Sequence, residues 1–236
     1  MDSDRKTAVV VGVLFIVGTV AGSLSVVLTT PALGATDYLA QIAANEAQVV
    51  LAAIFVLVMA AALVAIPIVI FPVFKRHDER MAIGYVVARA IEGAGYIATA
   101  VLLMSLVALS RAFVEAGAPD ASPFQVLGDL LLAGHHWADV VGVYIVFNLG
   151  ALLFYYLLFR SRLIPRLLSA WGFVAALMWL TGVLLVMFGV TDDSSVIYTV
   201  SFVPMFAQEM VMALWLIVKG FNTSALTPGS ADAAVG

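Results

Sequence analysis

The chain contains an uncharged stretch at Ala47–Phe74, with the sequence AQVVLAAIFVLVMAAALVAIPIVIFPVF. A helix that crosses a bilayer needs about 20 mostly apolar residues, so this stretch is long enough to be one. The 236 residues are 64% hydrophobic and 11% charged, whereas soluble domains carry about 25% charged residues. This composition excludes an ordinary soluble enzyme, a disordered chain and a nucleic-acid-binding protein, and it makes the lipid bilayer the expected partner.

Five further segments share this apolar character. Thr7–Thr36, Val140–Phe159 and Leu167–Thr191 carry no charge, while Met81–Ser110 and Ser194–Val218 carry isolated charges. The pattern predicts an all-α, polytopic membrane protein with one domain over residues 1–222, built as a six-helix bundle. The predicted transmembrane helices lie near 7–29, 46–70, 82–109, 137–159, 167–190 and 195–218. A tail at 223–236, rich in small and polar residues, is predicted to be disordered.

Basic residues predict the orientation in the membrane. Nine of the 11 basic residues fall at alternate helix ends, and these are Arg5, Lys6, Lys75, Arg76, Arg80, Arg160, Arg162, Arg166 and Lys219. By the positive-inside rule, both termini are expected on the cytoplasmic side of the cell membrane. Short amphipathic segments around Tyr38–Ile42 and Phe124–Leu131 are then expected on the outer side.

Ionisable residues inside a span are expensive, so they mark candidate sites. Tyr85, Arg89, Glu92 and Tyr96 follow the spacing i, i+4, i+7 and i+11, which places them on one face of the helix at 82–109. Arg89 and Glu92 are i,i+3 neighbours, a spacing at which the two side chains can pair. We expect this face to point into the bundle.

Depth places residues of two other helices at the same level. At 1.5 Å per residue, Arg89 lies about 13 Å from Arg80, and Glu209 lies about 15 Å from Lys219. Glu92, Asn148 and Gln208 fall at a similar depth. The predicted layer holds one base and two acids, so either one carboxyl group is protonated or a cation completes the balance. The layer is interpreted as a structural clasp or as a site for a proton or small ligand.

A second constellation lies at the predicted outer face. His135 and His136 are four and three residues before Asp139, and Glu46 opens the helix at 46–70. These four residues suggest a divalent metal site, such as zinc. The same histidines also fit a pH sensor or an interfacial belt beside Trp137. With no cysteine in the chain, thiolate chemistry is excluded, and no other cofactor is identifiable.

Gly18 and Gly22 form a G-x-x-x-G motif in the first predicted helix. Such a motif lets two helices approach closely. It is interpreted either as the face of a homodimer or as a packing contact within the chain.

Several segments together carry a family resemblance. They are Asn45-Glu46, the loop AGAPDAS at 116–122, FYYLLFRSRLIPR at 154–166, Gln208-Glu209-Met210 and KGFN at 219–222. In combination they resemble the bacterial membrane family called domain of unknown function 4386, over roughly residues 5–222. The resemblance implies a bacterial or archaeal membrane protein of about six helices. It implies no catalytic residues.

Three functional classes remain open. The first is a non-enzymatic membrane protein, with an accessory, sensory or stress-related role, whose mid-membrane layer is a clasp. The second is a small proton-linked transporter or channel that uses Glu92 and Glu209, gated by Arg89. The third is a membrane-embedded metalloenzyme with the outer His/Asp/Glu site. The third class is disfavoured because the sequence shows no nucleophile–base pair. The second is disfavoured because helices 1–3 and 4–6 show no sequence similarity that would indicate a repeat, so the first class is favoured.

Overall fold

A computed structural model describes residues 3–117 and 122–226, and within these ranges all regular structure is helical. The elements are α1 (Ser3–Leu33), α2 (Tyr38–Ala44), α3 (Glu46–Phe74), α4 (Glu79–Glu115), α5 (Ser122–Trp137), a π-helix (Ala138–Ile145), α6 (Val146–Ser161), α7 (Arg166–Met187), α8 (Val196–Val218) and a 3₁₀ turn (Thr223–Ala225). Most of the predicted tail, 227–236, lies outside the described residues.

Six helical segments are long and apolar enough to cross a membrane. The predicted all-α, six-helix architecture is therefore confirmed. One of the six, Pro123–Ser161, joins α5, the π-helix and α6 without a break. The sequence pattern predicts an amphipathic segment near Phe124–Leu131 that is separate from a span at 137–159. A π-helix adds a residue per turn while keeping the backbone hydrogen-bonded, so the chain passes from α5 to α6 as one helix.

Polar and apolar side chains are distributed as lipid surroundings require. Leu167, Phe188 and Val196 are 83%, 80% and 78% exposed, whereas Arg89 is 1% exposed and Asn148 is fully buried. A protein surrounded by water rarely exposes so many large apolar side chains on its surface. The surface therefore fits a protein surrounded by lipid.

The chain divides by its internal contacts into two compact units. The first comprises Met1–Ile16, Ala62–Ile91 and Tyr144–Gly236, and the second comprises Val17–Ala61 and Glu92–Val143. In the first unit α7 packs against both α6 and α8. Glycines make these approaches possible, because a Cβ atom at Gly172 would overlap the Tyr155 ring and one at Gly182 would overlap Ser201.

Charged side chains attach the first turns of α1 to the end of α8 and to the end of α3. Arg5 donates hydrogen bonds to the carbonyl oxygens of Leu216 and Ile217, at 2.9 and 2.6 Å. The guanidinium group thus caps the last turn of α8, where the helix dipole favours a cation. Arg76 pairs with Asp4 at 3.0 Å.

The connection between α3 and α4 contains a shielded histidine. Burial lowers the pKa of His77, and the charge of Arg76 lowers it further. Its Nε2 atom is buried and has no hydrogen-bond partner among the described residues. Burial and the charge of Arg76 thus both favour the neutral imidazole.

The second unit is organised around α2 and α5. Tyr38, Leu39 and Ile42 are buried on α2, and the Tyr38 hydroxyl donates a 2.8 Å hydrogen bond to Asp129 of α5. Burial raises the pKa of Tyr38, and the hydrogen bond to Asp129 and its negative charge raise it further. Tyr38 therefore stays protonated and acts as the donor that ties α2 to α5.

Gly22 is used in a contact within the chain. A Cβ atom at this position would come within 2.5 Å of the Sδ atom of Met59 on α3. The other glycine of the motif, Gly18, is buried, while Gly22 is half-buried. The intramolecular interpretation of G-x-x-x-G therefore has a specific contact, whereas the homodimer stays a prediction.

Candidate functional site

The candidate site is a cluster of buried polar side chains in the first unit, formed by Tyr85, Arg89, Asn148, Tyr155, Gln208 and Glu209 and called here the polar cluster. Five of the six are 0 or 1% exposed, and Glu209 is half-buried. They lie on α4, α6 and α8. Their burial within apolar helices makes them the natural place to look for a function.

Arg89 is held by two aromatic rings. Its Nε atom donates a hydrogen bond to the Tyr85 hydroxyl at 3.2 Å, and its Cζ atom lies 5.5 Å from the centre of the Tyr85 ring. The same atom lies 4.9 Å from the centre of the Phe147 ring on α6. A desolvated cation–π contact is worth about 2 kcal/mol or more, so the two rings offset part of the cost of burying this charge.

Tyr155 and Gln208 connect three helices. The Tyr155 hydroxyl on α6 donates a hydrogen bond to Oε1 of Gln208 on α8. Nε2 of Gln208 in turn donates to the backbone carbonyl of Leu168 on α7 at 3.1 Å. Because both side chains are almost fully buried, sliding one helix along another would break these bonds with no water to replace them.

The charges of Glu209 and Arg89 both act on the Tyr155 hydroxyl. Glu209, Tyr85 and Arg89 all lie close enough to act on its hydroxyl electrostatically. The first unit therefore places one base and one acid around a single tyrosine. Depth counted along the predicted helices indicates one level for Arg89, Gln208 and Glu209 but does not select Tyr155. A tyrosine within an apolar span is the available signal, since a buried hydroxyl needs a partner.

Asn148 has one satisfied and one unsatisfied end. Its Nδ2 atom donates a hydrogen bond to the Tyr144 carbonyl at 2.8 Å, within the last turn of the π-helix. Its Oδ1 atom is buried and has no hydrogen-bond partner among the described residues. A buried acceptor of this kind costs about 1–3 kcal/mol, which makes the position a candidate for a proton donor or a water molecule.

Glu92 and Tyr96 belong to the second unit. They are 1% and 9% exposed on α4. One helical turn further, Thr99 donates a 2.8 Å hydrogen bond to Oδ1 of Asp139. The predicted ion pair between Glu92 and Arg89 stays a prediction.

The four residues of the suggested metal site have different neighbours. Nδ1 of His135 lies 3.7 Å from Oδ2 of Asp139, while the ring of His136 packs edge-on against Trp137 at 5.1 Å. Glu46 forms an ion pair with Arg111. Over residues 3–117 and 122–226, no three His, Asp or Glu side chains are grouped in a way that could hold a metal ion.

The architecture and the family match together identify the class of protein. Six apolar helices with polar side chains turned inward define a multi-pass helical membrane protein. The family model described as Domain of unknown function (DUF4386) matches residues 10–220, and the chain belongs to this family. The resemblance noted from the sequence segments is thereby confirmed. No curated protein and no solved structure gave a significant match.

Proposed function

We propose that the protein is a non-enzymatic multi-pass membrane protein, with an accessory, sensory or stress-related role, in which the polar cluster fixes the register of the helices. The observation that carries the proposal is the hydrogen-bonded chain from Tyr155 through Gln208 to Leu168, which joins α6, α8 and α7. In hydrocarbon, polar side chains find few alternative partners, so such a chain favours one helix arrangement over shifted ones.

The proposed setting is the cell membrane, with both termini in the cytoplasm. The nine basic residues at alternate helix ends support this orientation through the positive-inside rule. A homodimer through Gly18 and Gly22 is compatible with it, although the contact of Gly22 with Met59 favours packing within one chain.

A second candidate function is proton-linked transport through the polar cluster. It is favoured by the unsatisfied Oδ1 atom of Asn148, because a water molecule on a proton path would supply the missing hydrogen-bond donor. In this proposal Glu209 of the polar cluster and Glu92, which lies outside the cluster, are the protonatable groups, and Arg89 gates them by its charge. The two candidates differ in whether the protein moves protons at all.

The decisive experiment compares Arg89→Ala and Glu209→Gln with the wild type. Thr181→Val serves as the matched control, because Thr181 is exposed and its hydroxyl bonds only to a carbonyl of its own helix in the described structure. Thermal unfolding in detergent and proton flux into liposomes are measured for all four proteins. The clasp predicts no wild-type flux and, for Arg89→Ala, a loss of more than about 2 kcal/mol of stability. Stable folding of both variants, together with wild-type flux that either variant abolishes, would establish transport instead.

A further inference from the structure

An apolar groove on the first unit is lined by helices that carry two exposed arginines near their connecting turn. The groove has a volume of about 400 Å³ and is lined by Met81, Leu149, Leu152, Leu153, Tyr156 and Phe173. Leu149 and Tyr156 are 51% and 41% exposed, so the groove is open to the hydrocarbon around the protein. Its walls come from α4, α6 and α7.

Helix periodicity places the arginines at one end of this groove. Arg160 follows Tyr156 by four residues on α6, and Arg166 precedes Phe173 by seven residues on α7. Both spacings keep the paired residues on the same helix face. Along the helix axes the arginines therefore lie about 6 Å and about 10 Å beyond the groove residues, on the side of the connecting turn at 162–165.

Both guanidinium groups are available to an anion. Arg160 is anchored by Asp78 at 3.5 Å, and its side chain is 61% exposed. Arg166 lies over the Phe159 ring, with its Cζ atom 5.4 Å from the ring centre, and it is exposed. Arg166 is also the first residue of α7, where Pro165 provides no side-chain cap. A helix N-terminus adds partial positive charge at the same place.

We propose that this groove and the two arginines form a binding site for one anionic phospholipid. An acyl chain occupies the apolar groove, and the phosphate group lies between the guanidinium groups of Arg160 and Arg166. Charge complementarity selects an anionic headgroup, because two exposed cations meet the groove where a headgroup must leave the hydrocarbon. The site is independent of the role proposed for the polar cluster.

Native mass spectrometry of the detergent-purified full chain tests the headgroup half of the site. Phosphatidylglycerol and phosphatidylcholine with identical acyl chains are titrated in parallel. The wild type is expected to retain phosphatidylglycerol preferentially, and Arg160→Gln and Arg166→Gln are each expected to lower that retention about fivefold. Lys6→Gln, which removes a basic residue elsewhere, is the matched control and is expected to change nothing. Equal retention of the two lipids, or an equal loss in Lys6→Gln, would overturn the proposal.

A groove-filling variant tests the acyl-chain half. Leu149→Trp is expected to reduce phosphatidylglycerol retention, whereas Val174→Trp, at a position 54% exposed on α7, is expected to retain it. Unchanged retention in Leu149→Trp would overturn the acyl-chain assignment. If Leu149→Trp fails to fold, the wild type is titrated with a short-chain phosphatidylglycerol instead: weaker retention than that of the long-chain lipid supports the acyl-chain assignment, and equal retention overturns it.

Two other occupants of the site would also overturn the proposal. If inorganic phosphate stabilises the fold as much as the lipid does, the arginines form a site for a free anion. If a lipid-free dimer is present and Leu149→Trp dissociates it, a second copy of the chain occupies the groove.

Discussion

At the scale of single residues, the protein is distinguished by the side chains that it hides. Arg89 is almost fully buried, yet it contacts the Tyr85 hydroxyl and two aromatic rings. Gln208 uses both ends of its amide, one for Tyr155 and one for Leu168. Each of these groups would be costly in hydrocarbon without its partners, so the contacts explain how the chain tolerates them.

Tyr155→Phe isolates one link of this arrangement. The ring remains in place while the donor to Gln208 disappears, which leaves a buried amide oxygen unsatisfied. We expect a loss of about 1 kcal/mol of unfolding free energy, since hydrogen bonds between membrane helices average somewhat less than that. Unfolding in detergent measures the change. Tyr156→Phe, which alters an exposed ring on the same helix, should unfold as the wild type does, and equal stability of the two variants would refute the link.

At the scale of helices, the close contacts depend on small residues that hydropathy does not reveal. Gly172 leaves room for the Tyr155 ring, and Gly182 leaves room for Ser201. The position of Tyr155, and with it the bond to Gln208, therefore depends on a glycine of the neighbouring helix. The π-helix Ala138–Ile145 also positions a polar side chain, because Asn148 donates a hydrogen bond to a carbonyl of its last turn.

Gly172→Leu should separate α7 from α6. The added side chain overlaps the Tyr155 ring, and overpacking of this kind costs about 1–3 kcal/mol. A lowered melting temperature in detergent is the expected result. The exposed substitution Val174→Leu on the same helix controls for the introduction of a leucine into α7. A melting temperature equal to that of the control would contradict the close packing of α6 and α7.

The sequence predicted some of these features and not others, for physical reasons. Uncharged runs such as Ala47–Phe74 report directly on the solvent, so the six helices could be predicted. Depth counted along straight helices could likewise select Arg89, Gln208 and Glu209. Hydropathy carries no information about pairs, however, so neither the bond from Tyr155 to Gln208 nor the ion pair of Glu46 with Arg111 was predicted. The continuity of α5 with α6 was missed because a π-helix has no distinctive composition.

At the scale of the whole molecule, the surface is far more apolar than that of a soluble domain, and a few polar side chains lie inside the largely apolar core. Apolar side chains such as Leu167 and Phe188 are exposed, while Arg89, Asn148 and Gln208 are inside. Hydrophobic burial cannot drive helices together in lipid, so packing and polar contacts must supply specificity. The central claim is that the polar cluster supplies it from a dry interior.

Single-cysteine labelling tests that claim most directly, and the chain contains no cysteine of its own. Asn148→Cys and Ala151→Cys each introduce a cysteine at a buried position of α6. Membrane vesicles that contain either variant are treated with a water-soluble maleimide on both sides of the membrane. Lys219→Cys and Asp192→Cys, at exposed positions, provide the reference rates. The account predicts that both buried cysteines stay unlabelled until the protein is unfolded. Labelling of either one at a rate close to the references would show a water-filled path to the polar cluster and would contradict the account.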